Sequence, residues 1–180
     1  MKRKTIISII LAACFMICAA ALCVSAADEK IMTSKNGLYR YTLDENNKAT
    51  IVAYSGTDET VITISRIDGK YAVGAIGDSV FAASTTLKEV TIYSSVTKIG
   101  AGAFMGCTSL EKINFHGNCN ITEIGDDAFY GCTALKEFKI AKSIKTIGAS
   151  AFQNCTSVSL DFSDASSLTS IGSYAFAGCA

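Results

Sequence analysis

Two hydrophobic registers alternate along the second half of the chain. An apolar-x-x-apolar-x-apolar pattern runs through Leu87, Val90 and Ile92, returns at Leu110, Ile113 and Phe115, and returns again at Leu135, Phe138 and Ile140. Its last two members are two residues apart and share one face of an extended segment, so each pattern predicts a short strand. Between the strands lies a second signature. Ile99-Gly100-Ala101-Gly102-Ala103-Phe104-Met105-Gly106-Cys107 recurs as Ile124-Gly125-Asp126-Asp127-Ala128-Phe129-Tyr130-Gly131-Cys132, then from Ile147 to Cys155 and from Ile171 to Cys179. A degraded copy begins at Ile76-Gly77, with Phe81 in the phenylalanine column and Ser84 in place of cysteine. From Ile76 to Ile99, Ile124, Ile147 and Ile171 the steps are 23, 25, 23 and 24 residues, the period of a solenoid.

In such a coil, equivalent strands pair in parallel about 4.8 Å apart and point their apolar residues into a continuous core. The Ala-Phe segment is expected to form the opposite wall as a helical or 3₁₀ turn. Phe104, Phe129, Phe152 and Phe176 would stack inside it, each contributing about 2–3 kcal/mol by burial. The glycine after each isoleucine is expected to adopt a backbone angle that other residues avoid.

These residues resemble the BspA-like leucine-rich-repeat surface proteins, whose repeat reads Ile-Gly-x-x-Ala-Phe-x-x-Cys-x-x-Leu-x-x-Ile-x-Ile. The resemblance covers residues 76–180. It implies an α/β repeat solenoid, a leucine-rich-repeat right-handed superhelix with parallel strands and short helical turns, exported and used for surface attachment or recognition. The chain departs from the family pattern at three places. Tyr93 and Ala141 stand where proline commonly follows the strand, the strand after Cys155 is one residue short, and the coil from Ile99 has a two-residue excess near Gly117 to Asn120.

Ahead of the repeats, residues 27–75 are expected to form a small β-rich N-terminal cap that shields the first coil. Tyr39, Tyr41 and Leu43 alternate with polar residues, Asp44 to Asn47 is turn chemistry, and Ile51 to Tyr54 returns as a hairpin. Residues 1–26 read as a signal peptide, with a basic start at Lys2, Arg3 and Lys4, an apolar stretch to Leu22, and the small-residue site Val24-Ser25-Ala26. Two alternatives stay open. Leu11-Ala12-Ala13-Cys14 has the form of a lipoprotein signal, and the stretch from Ile6 to Ala26 approaches the ~20 residues of an uncleaved membrane anchor. Each reading places the remainder outside the cytoplasm, and any membrane association is expected only through a lipidated or uncleaved leader.

Charge and reagent inventory narrow the function. The whole chain has 16 basic and 16 acidic side chains, and loss of the three leader cations leaves 13 against 16, a formal charge of −3. That disfavours nucleic acid as a partner, since no basic excess is present to displace counterions. His116 is the only histidine, so multi-histidine metal or acid–base chemistry is impossible, and no cofactor or enzymatic activity is expected. It follows a predicted strand and reads as a solvated loop residue.

Five cysteines lie beyond the leader, and Cys107, Cys132, Cys155 and Cys179 share one repeat position. They read as a column of buried, reduced side chains, because ligands strung along an axis do not converge on a metal and parallel Cβ directions suit a disulfide poorly. Cys119 stands apart in the enlarged loop, as a free surface thiol or a partner for another chain.

The charged columns alternate in sign, Lys88, Glu111, Lys136 beside Glu89, Lys112, Glu137. Alternation avoids like charges on neighbouring strands and suits register control and solubility. The functional alternative is a mixed-charge concave face that contacts a ligand through Glu89, Thr91, Lys112, Asn114, Glu137, Lys139 and Asp161. The chain stops at Ala180 before the last coil's strand, which suggests an incomplete final repeat and a longer parent protein. The expected function is a secreted or cell-surface, non-catalytic module that recognises an extracellular protein or glycan, most plainly in adhesion. The alternatives are the targeting module of a larger cell-wall or extracellular enzyme, or a structural spacer.

Overall fold

The computed structural model describes residues 30–179, so the predicted leader at 1–26 lies outside the described residues. The strands are β1 (Met32–Thr33), β2 (Tyr39–Leu43), β3 (Ala49–Tyr54), β4 (Val61–Ile64), β5 (Arg66–Ile67), β6 (Tyr71–Ile76), β7 (Glu89–Tyr93), β8 (Lys98–Ile99), β9 (Lys112–His116), β10 (Glu123–Ile124), β11 (Glu137–Lys139), β12 (Thr146–Ile147), β13 (Ser159–Asp161) and β14 (Ser170–Ile171). They form two walls. One follows the order β1-β2-β3-β6-β8-β10-β12-β14, with β5 paired to β6, and the other β13-β11-β9-β7-β4. From β6 onward the first wall is parallel, as is all of the second, and Ile76, Ile99, Ile124, Ile147 and Ile171 lie opposite one another in register.

The predicted hairpin forms as β2 and β3, antiparallel across a turn in which Asp44 Oδ1 accepts the amides of Asn46 and Lys48 at 2.9 and 2.8 Å. β3 then runs parallel to β6, which joins this hairpin directly to the solenoid wall. β4 pairs in parallel with β7 over its whole length, Val61↔Glu89 to Ile64↔Ile92. Parallel stacking therefore starts ahead of Ile76, in a segment whose Val61, Ile62 and Ile64 carry the strand pattern without the Ile-Gly signature.

Phe81, Phe104, Phe129, Phe152 and Phe176 form one column, with successive ring centroids 5.2, 5.3, 5.0 and 5.7 Å apart and interplanar angles of 8°, 7°, 13° and 19°. Tyr54 continues the column into the hairpin, 5.1 Å from Phe81, and Tyr39 follows at 5.2 Å. The hairpin thus plugs the aromatic core with rings of its own. Offset stacking of this kind adds about 0.5–1.5 kcal/mol per pair beyond area burial.

Two expectations need correction. Among the described residues there is no helix, and the Ala-Phe segment is a run of tight turns. The reason is a division of its amides. Met105 N and Cys107 N bond back within the turn, to Gly102 O and Phe104 O, while Gly102 N, Phe104 N and Gly106 N donate forward to Asp126 O, Ala128 O and Tyr130 O at 2.7–2.8 Å. A helix would need all of these amides for its own ladder. Alternating the destinations also requires left-handed residues, here Gly102 and Gly106 with φ of 60° and 70°. The same two positions are left-handed in the neighbouring coils at Asp127 and Gly131, Ser150 and Asn154, and Tyr174 and Gly178.

The glycine that follows each isoleucine has no positive φ. Its role is close approach: a Cβ on Gly125 would lie 2.6 Å from Ala101 N, and one on Gly77 would lie 2.5 Å from Ile51 O. The backbone of one coil rests on that of the coil before it, so a side chain has no room.

Candidate functional site

The five-stranded wall has one face in the core and one in solvent. Strand alternation buries Val90, Ile92, Ile113 and Phe138 and turns their neighbours outward. Along the outer face the ladder aligns Val61, Glu89, Lys112, Glu137 and Ser159 in one row. The next row aligns Thr63 with Thr91 and Thr91 with Asn114, and pairs Lys139 with Asp161 two strands on. All seven residues singled out in the sequence therefore lie on the outward side of one sheet. Glu89, Thr91 and Asn114 are partly buried, and Lys112, Glu137, Lys139 and Asp161 are exposed.

The face is internally bonded. Asn114 Nδ2 donates to Glu89 Oε1, which orients that amide and carboxylate across adjacent strands. In the column just ahead of the strands, Lys136 Nζ pairs with Glu111, and this ammonium holds the Glu111 carboxyl below its ordinary range. Asp161 Oδ1 accepts the Ser163 amide at 2.8 Å, and hydrogen bonding from Ser163 likewise lowers its pKa. Lys139 Nζ reaches Asp164 at 3.7 Å. Lys88, Glu111 and Lys136, with the row from Val61 to Glu137, line a groove of about 540 Å³. Its signs alternate in both directions, and exposed Val61 is the apolar point at its end.

The structure adds a third outward row that the sequence reading did not place on this face. Tyr93 and His116 are opposite one another in register, their rings 4.2 Å apart at 26°. His116 ends β9 and is stacked on Tyr93, where a solvated loop residue was expected. The signal was available, because Tyr93 and His116 occupy the same position in consecutive repeats.

The cysteine column lies in the core, away from this face. Cys107, Cys132, Cys155 and Cys179 are free thiols, and each Sγ donates to the carbonyl of the phenylalanine one coil earlier, at 3.0, 3.2, 3.0 and 3.1 Å. Burial pushes Cys107 up to about 11 and Cys155 up to about 12, and raises Cys132 as well. These thiols are structural hydrogen-bond donors. Cys119 is partly buried, 3.8 Å from Ser143 Oγ.

Comparison with known proteins places this architecture. The profile of the BspA type leucine rich repeat region matches residues 58–180 in six copies, starting ahead of Ile76 as the pairing of β4 does. No curated protein matches the chain significantly. Among solved structures, a leucine rich repeat protein of T. pallidum is 27% identical with a TM-score of 0.71, over 83% of this chain and 68% of that one. A leucine rich cell surface protein of Faecalibacterium prausnitzii is also 27% identical, with a TM-score of 0.58, over 86% of this chain and 54% of its own length. The pneumococcal vaccine antigen PcpA shares the fold at 21% identity and a TM-score of 0.62, over 84% of this chain and 48% of that one. With its stacked Ile-Gly, Ala-Phe and Cys columns and a profile match across most of its length, the chain belongs to the BspA-type leucine-rich-repeat family.

Proposed function

We propose that the chain is a non-catalytic recognition module, exported and displayed at the cell surface or secreted, which binds an extracellular protein or glycan in adhesion. The observation that carries this reading is the outer face of the five-stranded wall. Three rows of outward residues stand on a parallel ladder, with mixed charge, an amide oriented by a neighbouring carboxylate, hydroxyl groups, and a stacked aromatic pair at one edge. Such a surface is preorganised, so binding need not order it first. The neighbours named as a cell surface protein and as a vaccine antigen support the location. Glu89, Thr91, Lys112, Asn114, Glu137, Lys139 and Asp161 are its contact residues.

The test presents the intact chain to immobilised extracellular-matrix proteins and cell-envelope glycans, and compares it with a variant in which Lys112, Asn114 and Lys139 are changed to alanine together. Loss of capture with an unchanged melting temperature supports the outer face, whereas undiminished capture removes it.

A further inference from the structure

Loop lengths alternate along one edge of the solenoid. From the last outward strand position to the next core aliphatic, the chain runs Tyr93 to Val96, His116 to Ile121, Ala141 to Ile144 and Ser163 to Leu168 in consecutive coils. Two residues lie between these landmarks in the first and third coils and four in the second and fourth. Half of the excess in the fourth coil is masked in the repeat period, because its strand is one residue short and the step is 24 rather than 25. Two long loops therefore flank a short one. The space between them is a groove of about 580 Å³, with Asn118 and Asn120 on one side, Asp164 and Ser167 on the other, and Lys142 and Lys145 from the short coil along its base.

Stacking does not require this alternation. Val96, Ile121 and Ile144 are buried to the same depth after short and long loops alike, and Leu168 in the last coil packs against the core partly buried. A departure from the repeat that leaves the core unchanged is where a solenoid can acquire a site of its own. The volume falls in the range of about 300–1,000 Å³ of small-ligand sites.

The lining selects the chemistry. Asn120 Nδ2 donates to Ser94 O at 2.8 Å, which fixes that amide and leaves its oxygen as an acceptor. Asp164 has a cationic partner in Lys139. Lys142 and Lys145 have no ion-pair partner among the described residues, so the groove carries two positive charges without a bonded counter-charge. Only Ala141 and Cys119 interrupt the polar lining, and neither is the aromatic or large aliphatic anchor pocket that centres a protein–protein contact.

We propose that this groove binds an anionic carbohydrate, a chain of hydroxyl-bearing rings carrying carboxylates. The ring hydroxyls exchange hydrogen bonds with the amides of Asn118 and Asn120 and the hydroxyl of Ser167, and a ring carboxylate meets the ammonium groups of Lys142 and Lys145. The site is separate from the outer sheet face and touches it only through the Lys139–Asp164 pair.

The experiment titrates the intact chain by calorimetry with a short oligogalacturonate, a neutral galactose oligomer of the same length, and polyglutamate. The uronate binds, and the other two bind far more weakly. Changing Lys142 and Lys145 to glutamine together weakens the uronate by about tenfold or more, the loss expected for two charge-assisted hydrogen bonds. Asn118→Ala weakens it several-fold, and Lys35→Gln, on a distant loop, leaves it unchanged. All of these side chains are exposed, so thermal melting confirms that the variants fold. The proposal is overturned if the uronate fails to bind, if the neutral oligomer or polyglutamate binds as tightly, or if the double variant binds as the parent does. The groove variants leave Lys112 and Asn114 in place, so failure here leaves the outer-face reading standing, and failure there leaves the groove.

Discussion

Cys132 Sγ lies 3.2 Å from the carbonyl oxygen of Phe104, one coil earlier, and neither residue is accessible to solvent. The same pairing joins Cys107 to Phe81 and Cys155 to Phe129, so the cysteine column ties the phenylalanine column to itself across coils. The thiol is small enough for the turn and still donates to an oxygen that water cannot reach.

Burial makes these thiols inert, and that has two measurable results. In the native chain iodoacetamide labels Cys119 and spares Cys107, Cys132 and Cys155, whereas all four react after denaturation, as peptide mass spectrometry would show. Folded-state values are raised from the ordinary 9.0 to about 11 for Cys107 and about 12 for Cys155. The native state therefore keeps protons that the unfolded chain gives up. Stability is complete below pH 9 and declines as pH rises through 11 and 12, measurable as a fall in the denaturant midpoint over that window. A midpoint unchanged from pH 8 to pH 11 would contradict the burial argument.

Phe129 sits inside the aromatic column, stacked on Phe104 and Phe152 and tilted against Phe138. Phe129→Ala empties the middle of the core and is expected to cost about 3–5 kcal/mol. Phe176→Ala costs clearly less, because Phe176 is only partly buried in the last described coil. The comparison is made by urea unfolding, and equal losses at the two positions would mean that the column is not the continuous core described above.

Two glycines of one coil, Gly125 and Gly131, separate backbone conformation from backbone contact. A Cβ on Gly131 meets nothing within 4 Å, but its φ is 69°, so Gly131→Ala costs about 1–2 kcal/mol of left-handed strain. Gly125 has no such strain, yet its Cβ would lie 2.6 Å from Ala101 N. Gly125→Ala must push two coils apart, breaking the bond from Gly125 N to Ile99 O and its neighbours, and is the more damaging change. Thermal melting of the pair decides it, and the ranking reverses if the glycine serves conformation alone.

That distinction also marks what could be read in the sequence. The period, the inward aliphatics, the phenylalanine stack and the cysteine column were legible because each recurs at a fixed place in every coil. The glycine column was equally visible, but a repeat shows only that a side chain is excluded. Whether a torsion or a neighbouring backbone excludes it depends on the contact between coils. The true left-handed positions hid for the complementary reason, since Gly102 is replaced by Asp127, Ser150 and Tyr174 in later coils. The turns read as helical because alanine favours helix, and the competing forward hydrogen bonds exist only once a second coil is present. The long loop from Ser163 to Leu168 is half hidden in the period by a strand one residue short, and the pairing of Tyr93 with His116 is hidden because two unlike residues fill one position.

The charge columns make the last prediction. Lys112 lies between Glu89 and Glu137 in the ladder, so Lys112→Glu creates three acidic side chains in a row. Like charges directly opposite on adjacent strands are expected to cost about 0.2–1 kcal/mol per contact, and the deficit should shrink as salt screens it. Acid acts on the neighbouring column with the same logic. Lys136 holds the Glu111 carboxyl below its ordinary 4.5, so the pair stabilises the fold above that value and loses its contribution as pH falls through the lower folded-state value. Lys136→Gln removes this part of the acid sensitivity. Denaturant titrations of the parent and Lys136→Gln at pH 7 and pH 4 measure the first effect, and those of Lys112→Glu at low and high salt measure the repulsion. If Lys136→Gln loses as much stability to acid as the parent, and salt leaves the Lys112→Glu deficit unchanged, alternation of sign along the coils does not contribute to the stacking.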